Sequence, residues 1–297
     1  MTMTTHLALI GEQPMPVLFI DRYLHPARTL LVCTRRTQPV AERLRRLIAN
    51  CEVLPQVDPY DFNQVMQLLD ERLPDENGTV VNLTGGTKIM MLGAFAHAVN
   101  RKTRFVYLES ERPPQQLHVF AFTPAAIKQT VEELPKLITV DDYLRAHLDG
   151  YHCEGFSCES DGSLTDGGRF EQAVYQALTP HFEILSGVKP AGVGDQIEID
   201  LVIRHDNQVA IAEVKLGRGS EGPKKGIDQL STAGSREYLG TYTRKLLITA
   251  GYPKAGIKAL AREKQVAILQ VKGYQDGLPL RSAQDLVQQV KSALDVS

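Results

Sequence analysis

Four charged side chains interrupt two apolar runs in residues 197–217, the stretch IEIDLVIRHDNQVAIAEVKLG. They are Glu198, Asp200, Glu213 and Lys215. Residues two apart in a strand share a face, so each run presents its charged pair on one side. The intervening Asp206-Asn207 can turn the chain into a hairpin, which would bring Asp200 beside Glu213. Two adjacent carboxylates repel each other unless they share a cation, and oxygen ligands suit magnesium or manganese.

The alternative is a cross-strand ion pair of Lys215 with Asp200 or Glu213 on an exposed sheet face. Two features favour the metal. The run VAIAEVKLG is apolar on both sides up to Glu213, which is typical of a central strand covered by helices. The preceding helix RFEQAVYQALTP also supplies Glu171, although a solvent-facing helical carboxylate is an equal alternative for that residue alone. We therefore predict that Glu171, Asp200 and Glu213 ligate a metal, and that Lys215 orients or activates water and stabilises phosphate charge.

The segment after the second run, GRGSEGPKKGIDQL, is locally basic through Arg218, Lys224 and Lys225. We interpret it as a flexible loop, which could follow a nucleic-acid backbone or could simply be a mobile surface loop. Gln229, at the start of the next predicted helix, could reach toward the metal.

A second group of polar residues follows three strand-like runs in the first half of the chain. NLTGGTKIM, residues 82–90, places two glycines and a lysine between a strand and a helix, where free amides favour an anion. It lacks the spacing of a phosphate-binding P-loop. Because the carboxyl ends of parallel strands meet at one edge, the loops GEQP and TRRT would lie beside it. The residues that could line one pocket are Glu12, Gln13, Thr34, Arg35, Thr84, Thr87 and Lys88. Polar turns, a tight Gly-Gly turn and a solvated charge run are the alternatives.

The composition of the chain is compatible with these two sites but does not by itself indicate them. A chain of 297 residues has room for two domains, and its net charge of −2 gives no general attraction to nucleic acid or membrane. The four cysteines, at positions 33, 51, 153 and 158, have no zinc-like spacing and fit a reducing cytoplasm. The apolar start LALIGEQPMPVLFI is broken by a glutamate and two prolines, so we expect no signal peptide or membrane span and a cytoplasmic protein.

The elements that must position these residues divide the chain in three. Residues 1–123 alternate strand-like and helix-like segments and end in a hairpin, which predicts a mostly parallel sheet with helices on both faces. Residues 124–164 are interpreted as a connector. Residues 165–297 give the order helix, three strands, helix, strand, helix of a small α/β nuclease core.

Two family resemblances follow from these residues. Asp200, then Glu213-Val214-Lys215, with the helical Glu171 before them, resembles the PD-(D/E)xK nuclease signature, although Ile199 replaces the proline. GEQPMP after the first strand and NLTGGTKIMM after the fourth are similar to CARF domains, the CRISPR-associated Rossmann folds. Together they resemble the CARF–nuclease effectors of type III CRISPR systems. The fold class so implied is α/β, a Rossmann-like CARF domain followed by a restriction-endonuclease-like PD-(D/E)xK domain.

The resemblance implies a homodimer that binds a cyclic oligoadenylate, most often the tetra-adenylate, and then cuts DNA, RNA or both with Mn2+ or Mg2+. It puts Gly11, Glu12, Gln13, Thr34, Thr84, Gly85, Gly86, Thr87 and Lys88 at ligand-facing positions. It makes Asp200 and Glu213 metal ligands, Lys215 the catalytic lysine and Glu171 the helical acid. Two alternatives stay open, namely an oligoadenylate sensor that does not cut and a constitutive restriction- or repair-type nuclease. Whether the first domain degrades its own ligand is also open.

Overall fold

The computed structural model describes residues 4–73, 78–110, 113–192, 197–217, 221–235, 238–240, 242–275 and 277–295. The chain divides into two compact units, Met1–Ile138 and Thr139–Ser297. Each unit has its own sheet and its own buried apolar cluster, so each is described by itself. No helix in the described part of the chain is long and apolar enough to cross a membrane.

The first unit is built on a seven-stranded sheet of order β3-β2-β1-β4-β5-β6-β7. Its strands are β1 (Thr5–Leu9), β2 (Arg28–Val32), β3 (Cys51–Val53), β4 (Thr79–Asn82), β5 (Arg104–Glu109), β6 (Gln116–Phe122) and β7 (Ile127–Glu133). The first five run parallel, and β5 to β7 form an antiparallel meander. The strands β1, β2 and β4 are almost wholly buried, as expected when helices cover both faces.

Helices connect the parallel strands of this unit. They are α1 (Met15–Leu24), α2 (Gln38–Leu47), α3 (Phe62–Arg72) and α4 (Lys88–Arg101). Prolines occupy the first turns of α1 and α2, where the missing amide costs nothing. Asp61 and Thr87 cap α3 and α4 by accepting from the amides three residues on. The predicted alternation and the closing hairpin are confirmed.

The second unit holds a six-stranded sheet of order β13-β12-β11-β10-β9-β8. Its strands are β8 (Tyr151–Cys153), β9 (Glu183–Pro190), β10 (Ile199–His205), β11 (Gln208–Lys215), β12 (Arg244–Thr249) and β13 (Val266–Gln270). Its helices are α5 (Val140–His147), α6 (Asp166–Leu178), α7 (Glu221–Ala233), α8 (Ala255–Glu263) and α9 (Leu280–Asp295). Strands β8 to β11 are antiparallel, whereas β11 to β13 are parallel. From α6 to α8 the order is helix, three strands, helix, strand, helix, as predicted, with α5 and β8 before it and β13 and α9 after it.

The segment 124–164 does not stand apart as a connector. Residues 127–133 form β7, which pairs along its whole length with β6 and completes the first sheet. Beyond Ile138, α5 and β8 belong to the second unit, where β8 pairs with β9 and Glu183 accepts from the Val140 amide. β7 is polar and exposed along most of its length, and β8 has only three residues, so their composition is that of a linker although both strands are paired.

Candidate functional site

Strands β10 and β11 form an antiparallel pair whose register brings the carboxylates together. Leu201 pairs with Ala212, so Asp200 lies across from Glu213. The Asp200 carboxylate accepts from the Val214 amide at 2.7 Å, which fixes it against β11. A one-residue slip of either strand would turn its acid to the opposite face, so the buried apolar residues of both strands set this juxtaposition.

Lys215 joins the two carboxylates. Its Nζ lies 3.2 Å from Asp200 Oδ2 and 2.7 Å from Glu213 Oε2. Glu213 is 1% exposed, and the contact of its Oε2 among the described residues is this ion pair with Lys215. A carboxylate oxygen has more than one acceptor position, so the buried Glu213 carboxylate can take a further partner.

The pKa values of this cluster follow from burial and from the excess of negative charge. Burial and the Asp200 charge raise the pKa of Glu213 well above its usual value, and the Lys215 ammonium offsets only part of that rise. Burial acts to lower the pKa of Lys215, but the charges of Asp200 and Glu213 outweigh it and the pKa is raised. Lys215 therefore stays positively charged, but its single charge cannot balance both carboxylates, and the raised pKa of Glu213 reflects that excess of negative charge.

Glu171 reaches the neighbourhood of this cluster from α6, but its carboxylate is engaged elsewhere. It is 5% exposed and accepts from the amide and the hydroxyl of Ser157. Burial and the charge of Asp200 raise its pKa, against the hydrogen bonds from Ser157 and the charge of Lys215. Among the described residues, no group of three His, Cys, Asp or Glu side chains lies close enough to hold a metal ion. Asp200, Glu213 and Lys215 are in direct contact, whereas Glu171 is near them only electrostatically.

The donor set nevertheless fits a divalent cation. Three carboxylates and one ammonium leave a formal charge of −2, and the oxygens of the facing Asp200 and Glu213 carboxylates are hard donors of the kind that Mg2+ and Mn2+ prefer. Asp200 and Glu213 would hold the ion directly, with Glu171 as the third acid.

The polar surroundings of the cluster differ from the sequence prediction in two ways. Glu198 is paired with Lys189, 3.5 Å away, and does not contact the cluster. Residues 221–233 are the helix α7 and not a loop, so the exposed Lys224 and Lys225 stand on a helix; Arg218 lies outside the described residues. The pattern GSEGP concealed this helix because glycine and proline usually interrupt one.

Helix α7 packs directly on the charged face. A Cβ at Gly226 would lie 3.5 Å from Glu213 Cβ and 3.0 Å from Leu247 Cδ1. One turn further on, Gln229 has a buried Oε1 without a hydrogen-bond partner among the described residues. Because the helix lies this close, the cluster is covered along α7.

In the first unit, the loops after β1 and β4 touch main chain to main chain. A Cβ at Gly85 would lie 2.1 Å from the Leu9 carbonyl oxygen, so only glycine fits there. A Cβ on Gly11 would lie 3.3 Å from the Gly86 amide nitrogen, and Gly86 itself has a φ of +77°. The loops 11–13 and 84–88 therefore form one surface, as predicted from the strand ends.

The loop after β2 joins this surface through an ion pair that sequence reasoning did not single out. Arg36 Nη2 lies 2.5 Å from Glu12 Oε1. Thr34 is buried and exchanges hydrogen bonds with Thr37, while Arg35 is exposed. Thr34 thus shapes its own loop, and the arginine that reaches the loop after β1 is Arg36.

The two threonines of the Gly-Gly loop have structural partners. Thr84 Oγ1 accepts from the Leu108 amide at 2.9 Å. Thr87 Oγ1 donates to the Pro59 carbonyl at 2.5 Å and accepts from the Met90 amide. Both hydroxyls hold the loop in place, but Thr84 only accepts and keeps its own hydrogen. The groups this loop offers an anion are therefore the Thr84 hydroxyl, the exposed Lys88 ammonium and the first amides of α4.

Comparisons with known proteins place the first unit in a family. Residues 5–143 match the family model described as the Card1 CARF domain. The first unit is a CARF domain. A comparison with curated protein sequences gave no significant match. The CARF prediction made from GEQPMP and NLTGGTKIMM is confirmed.

Solved structures extend the likeness from the CARF domain to the whole chain. The chain is similar to Can2 from Sulfobacillus thermosulfidooxidans, in complex with cyclic tetra-adenylate, with a TM-score of 0.75, 17% identity and coverage of 98% of this chain and 99% of that one. It is also similar to protein VC1899 from Vibrio cholerae, with a TM-score of 0.69, 12% identity and full coverage of both chains. A type III CRISPR defence DNA nuclease activated by cyclic oligoadenylate gives a TM-score of 0.58 at 16% identity, over 96% of this chain and 44% of that one. At these identities the likeness shows the fold alone, which this chain shares with Can2 over both of its units.

Proposed function

We propose that this chain is a metal-dependent nuclease that a cyclic oligoadenylate activates, with cyclic tetra-adenylate as the first ligand to test. The observation that carries the proposal is the buried pair of Asp200 and Glu213, joined by Lys215, on one face of the second sheet. An ordinary core strand gains nothing from two facing carboxylates and a lysine, because burying them costs more than their attraction returns. Phosphodiester hydrolysis uses such a set.

Asp200, Glu213 and Glu171 would hold Mn2+ or Mg2+, which when bound activates water and polarises the phosphate. Lys215 carries a permanent positive charge, because its pKa is raised by the two carboxylates. It therefore serves as a fixed cation for the charge that develops on the phosphate, and not as a proton acceptor. α7 limits access of water along one side of the cluster.

The CARF domain supplies the proposed ligand site. Gly11, Gly85 and Gly86 bring two main chains within contact distance and leave no side chain between them and a ligand. Lys88 and the amides at the start of α4 would contact phosphates, and the Glu12–Arg36 pair would border the site. Can2 is described in complex with cyclic tetra-adenylate, and the likeness of fold supports the same class of ligand here.

A homodimer is the assembly we propose, and the CARF domain has a surface that fits a second copy. Helix α4 starts at the ligand loop and exposes Leu92, Phe95 and Val99, which lie on one side of the helix at 47%, 36% and 37% exposure. The Phe95 ring packs edge-on against Phe105 at 5.4 Å, so this stripe continues onto the sheet face that exposes Tyr107. Exposed apolar side chains that continue in this way are typical of an interface. A cyclic oligoadenylate has repeated phosphates and bases, which a two-fold receptor can bind equally from both halves.

The experiment is a cleavage assay with purified protein, Mn2+ and supercoiled plasmid, single-stranded DNA or RNA, with and without cyclic tetra-adenylate. Glu213→Ala serves as the inactive control. We expect cleavage only with the activator, and loss of that cleavage in the variant.

Other outcomes decide between the alternatives. Cleavage without the activator would make the protein a constitutive nuclease. Binding of the activator without cleavage of any substrate would make it a sensor. Absence of both binding and cleavage would lead to the same assay with cyclic hexa-adenylate, and failure there would overturn the proposal.

A further inference from the structure

Ser157 contacts both oxygens of the Glu171 carboxylate. Its hydroxyl donates to Oε1 at 2.9 Å and approaches Oε2 at 3.2 Å, while its amide donates to Oε2 at 3.0 Å. Glu171 is 5% exposed, so these bonds replace the water that would otherwise solvate the acid. One residue outside the nuclease signature therefore fixes the orientation of its helical acid.

Ser157 is itself held by the helix that carries Glu171. Its carbonyl accepts from the amide of Thr165 at 3.0 Å and from the hydroxyl of Thr165 at 3.2 Å. Thr165 caps α6 through the Gly168 amide at 2.8 Å, and a Cβ on Gly168 would lie 2.0 Å from the Ser157 carbonyl oxygen. Glycine at 168 thus lets the segment approach the first turn of α6. The acid and its donor are therefore joined through the first turn of α6.

This arrangement leaves the acid able to take a further partner. A carboxylate has about four acceptor positions, and Ser157 provides only two donor hydrogens. The remaining capacity is available to a cation, whose charge would be shared with Asp200 and Glu213. Ser157 does not compete with a cation for Glu171, because its neutral donors restrain the carboxylate without neutralising its charge.

We propose that Ser157 is a positioning residue that presents Glu171 to the cation, an inference that rests on the proposed metal-dependent function. Outer-shell hydrogen bonds of this kind change metal affinity by about 10–100-fold when they are removed. Ser157→Ala deletes the hydroxyl donor and keeps the amide donor, so we expect the Kd for Mn2+ to rise about 10-fold. Ser157→Thr retains the hydroxyl and should restore binding.

The test measures Mn2+ binding to the full chain, without activator or substrate, by isothermal titration and by the electron paramagnetic resonance signal of free Mn2+. Ser163→Ala is the matched control, because Ser163 lies in the same segment but its hydroxyl donates to Asp161. Ser157→Cys, which has nearly the size of serine and only a weak donor, is the second variant if the alanine variant is poorly folded. Circular dichroism checks the fold of each.

Weaker Mn2+ binding in Ser157→Ala, with restoration by threonine and no change in Ser163→Ala, is the expected result. Equal Mn2+ affinity in wild type, Ser157→Ala and Ser157→Cys would overturn the positioning role while leaving the metal site intact. Failure of the proposed function itself looks different, since wild type would then bind no Mn2+ or would bind it no better than Glu213→Gln.

Discussion

Asp200 and Glu213 face each other across β10 and β11, and Lys215 Nζ lies within 3.2 Å of one and 2.7 Å of the other. One lysine balances one carboxylate, so the pair retains an uncompensated charge in a buried place. This imbalance lowers stability in the absence of a cation. We therefore expect substitutions of Glu213 and of Lys215 to change stability in opposite directions.

Replacing Glu213 with glutamine should stabilise the metal-free protein while it abolishes cleavage. The variant removes the excess charge and leaves the Asp200–Lys215 pair, so we expect the Tm of the second unit to rise by about 2–4 °C, the equivalent of about 1 kcal/mol for a domain of this size. Differential scanning calorimetry in chelator measures it. A Tm that falls by several degrees would mean that Glu213 is needed for packing.

The Tm difference between Glu213→Gln and wild type should increase as pH rises. Burial and Asp200 raise the pKa of Glu213 in the folded state, so the folded protein binds a proton here more readily than the unfolded chain. The destabilisation is therefore absent below the unfolded pKa of about 4.3 and grows as pH rises toward the folded value. The Tm advantage of Glu213→Gln over wild type should increase from pH 5 to pH 8. A Tm difference that stays constant from pH 5 to pH 8 would contradict the raised pKa of Glu213.

Replacing Lys215 with methionine should have the opposite effect on stability. It leaves two facing carboxylates without their cation, and breaking a buried pair in this way costs about 3–5 kcal/mol. Because Lys215 is partly exposed, we expect a value at the low end, and Mn2+ should recover part of it. Cleavage should fall by about 100–1000-fold, as for loss of a preorganised charge. Chemical denaturation with and without Mn2+ provides the measurement, with Lys225→Met on α7 as the control.

Lys88 and Lys102 lie at opposite ends of α4 and provide a matched pair for the ligand site. Lys88 begins the helix at the Gly-Gly loop, whereas Lys102 is the exposed residue that follows its last turn. We expect Lys88→Ala to weaken binding of cyclic tetra-adenylate about 10-fold, the loss of one charge-assisted contact of about 1.4 kcal/mol. Lys102→Ala should bind as wild type does. Fluorescence anisotropy at two salt concentrations measures the affinity of both variants. Equal affinities would mean that Lys88 does not contact the phosphates of the ligand.

Leu92 tests the proposed dimer surface. It is 47% exposed on α4, so Leu92→Glu should leave the fold intact and place like charges opposite each other in a dimer. We expect a shift from dimer to monomer in sedimentation velocity, together with loss of activator-dependent cleavage. Leu280→Glu, at an exposed leucine of the second unit, is the control. A dimer that survives Leu92→Glu would move the interface to another face.

The sequence alone determined the alternation of strands and helices, the two sheets and the facing of Asp200 and Glu213. These are local consequences of hydrophobic periodicity, turn residues and strand pairing, so they can be read without coordinates. The CARF signature was visible for the same reason, since its glycines mark a close approach of two main chains. The glycines and the proline near residue 222 led to the wrong prediction of a loop, because EGPKKG forms the first turns of the helix α7.

Tertiary structure decided which polar groups are free to act. Thr84 and Thr87 are bonded to Leu108 and Pro59, partners 24 and 28 residues away, and no local pattern reveals such bonds. Ser157 lies in an irregular, polar segment that resembles a linker, yet it contacts Glu171 because Gly168 lets the backbone approach. Arg36, and not Arg35, pairs with Glu12, and this contact between two separate loops is likewise not visible in a local pattern. Side-chain hydrogen bonds depend on distances between elements, and those are fixed only when the apolar faces pack.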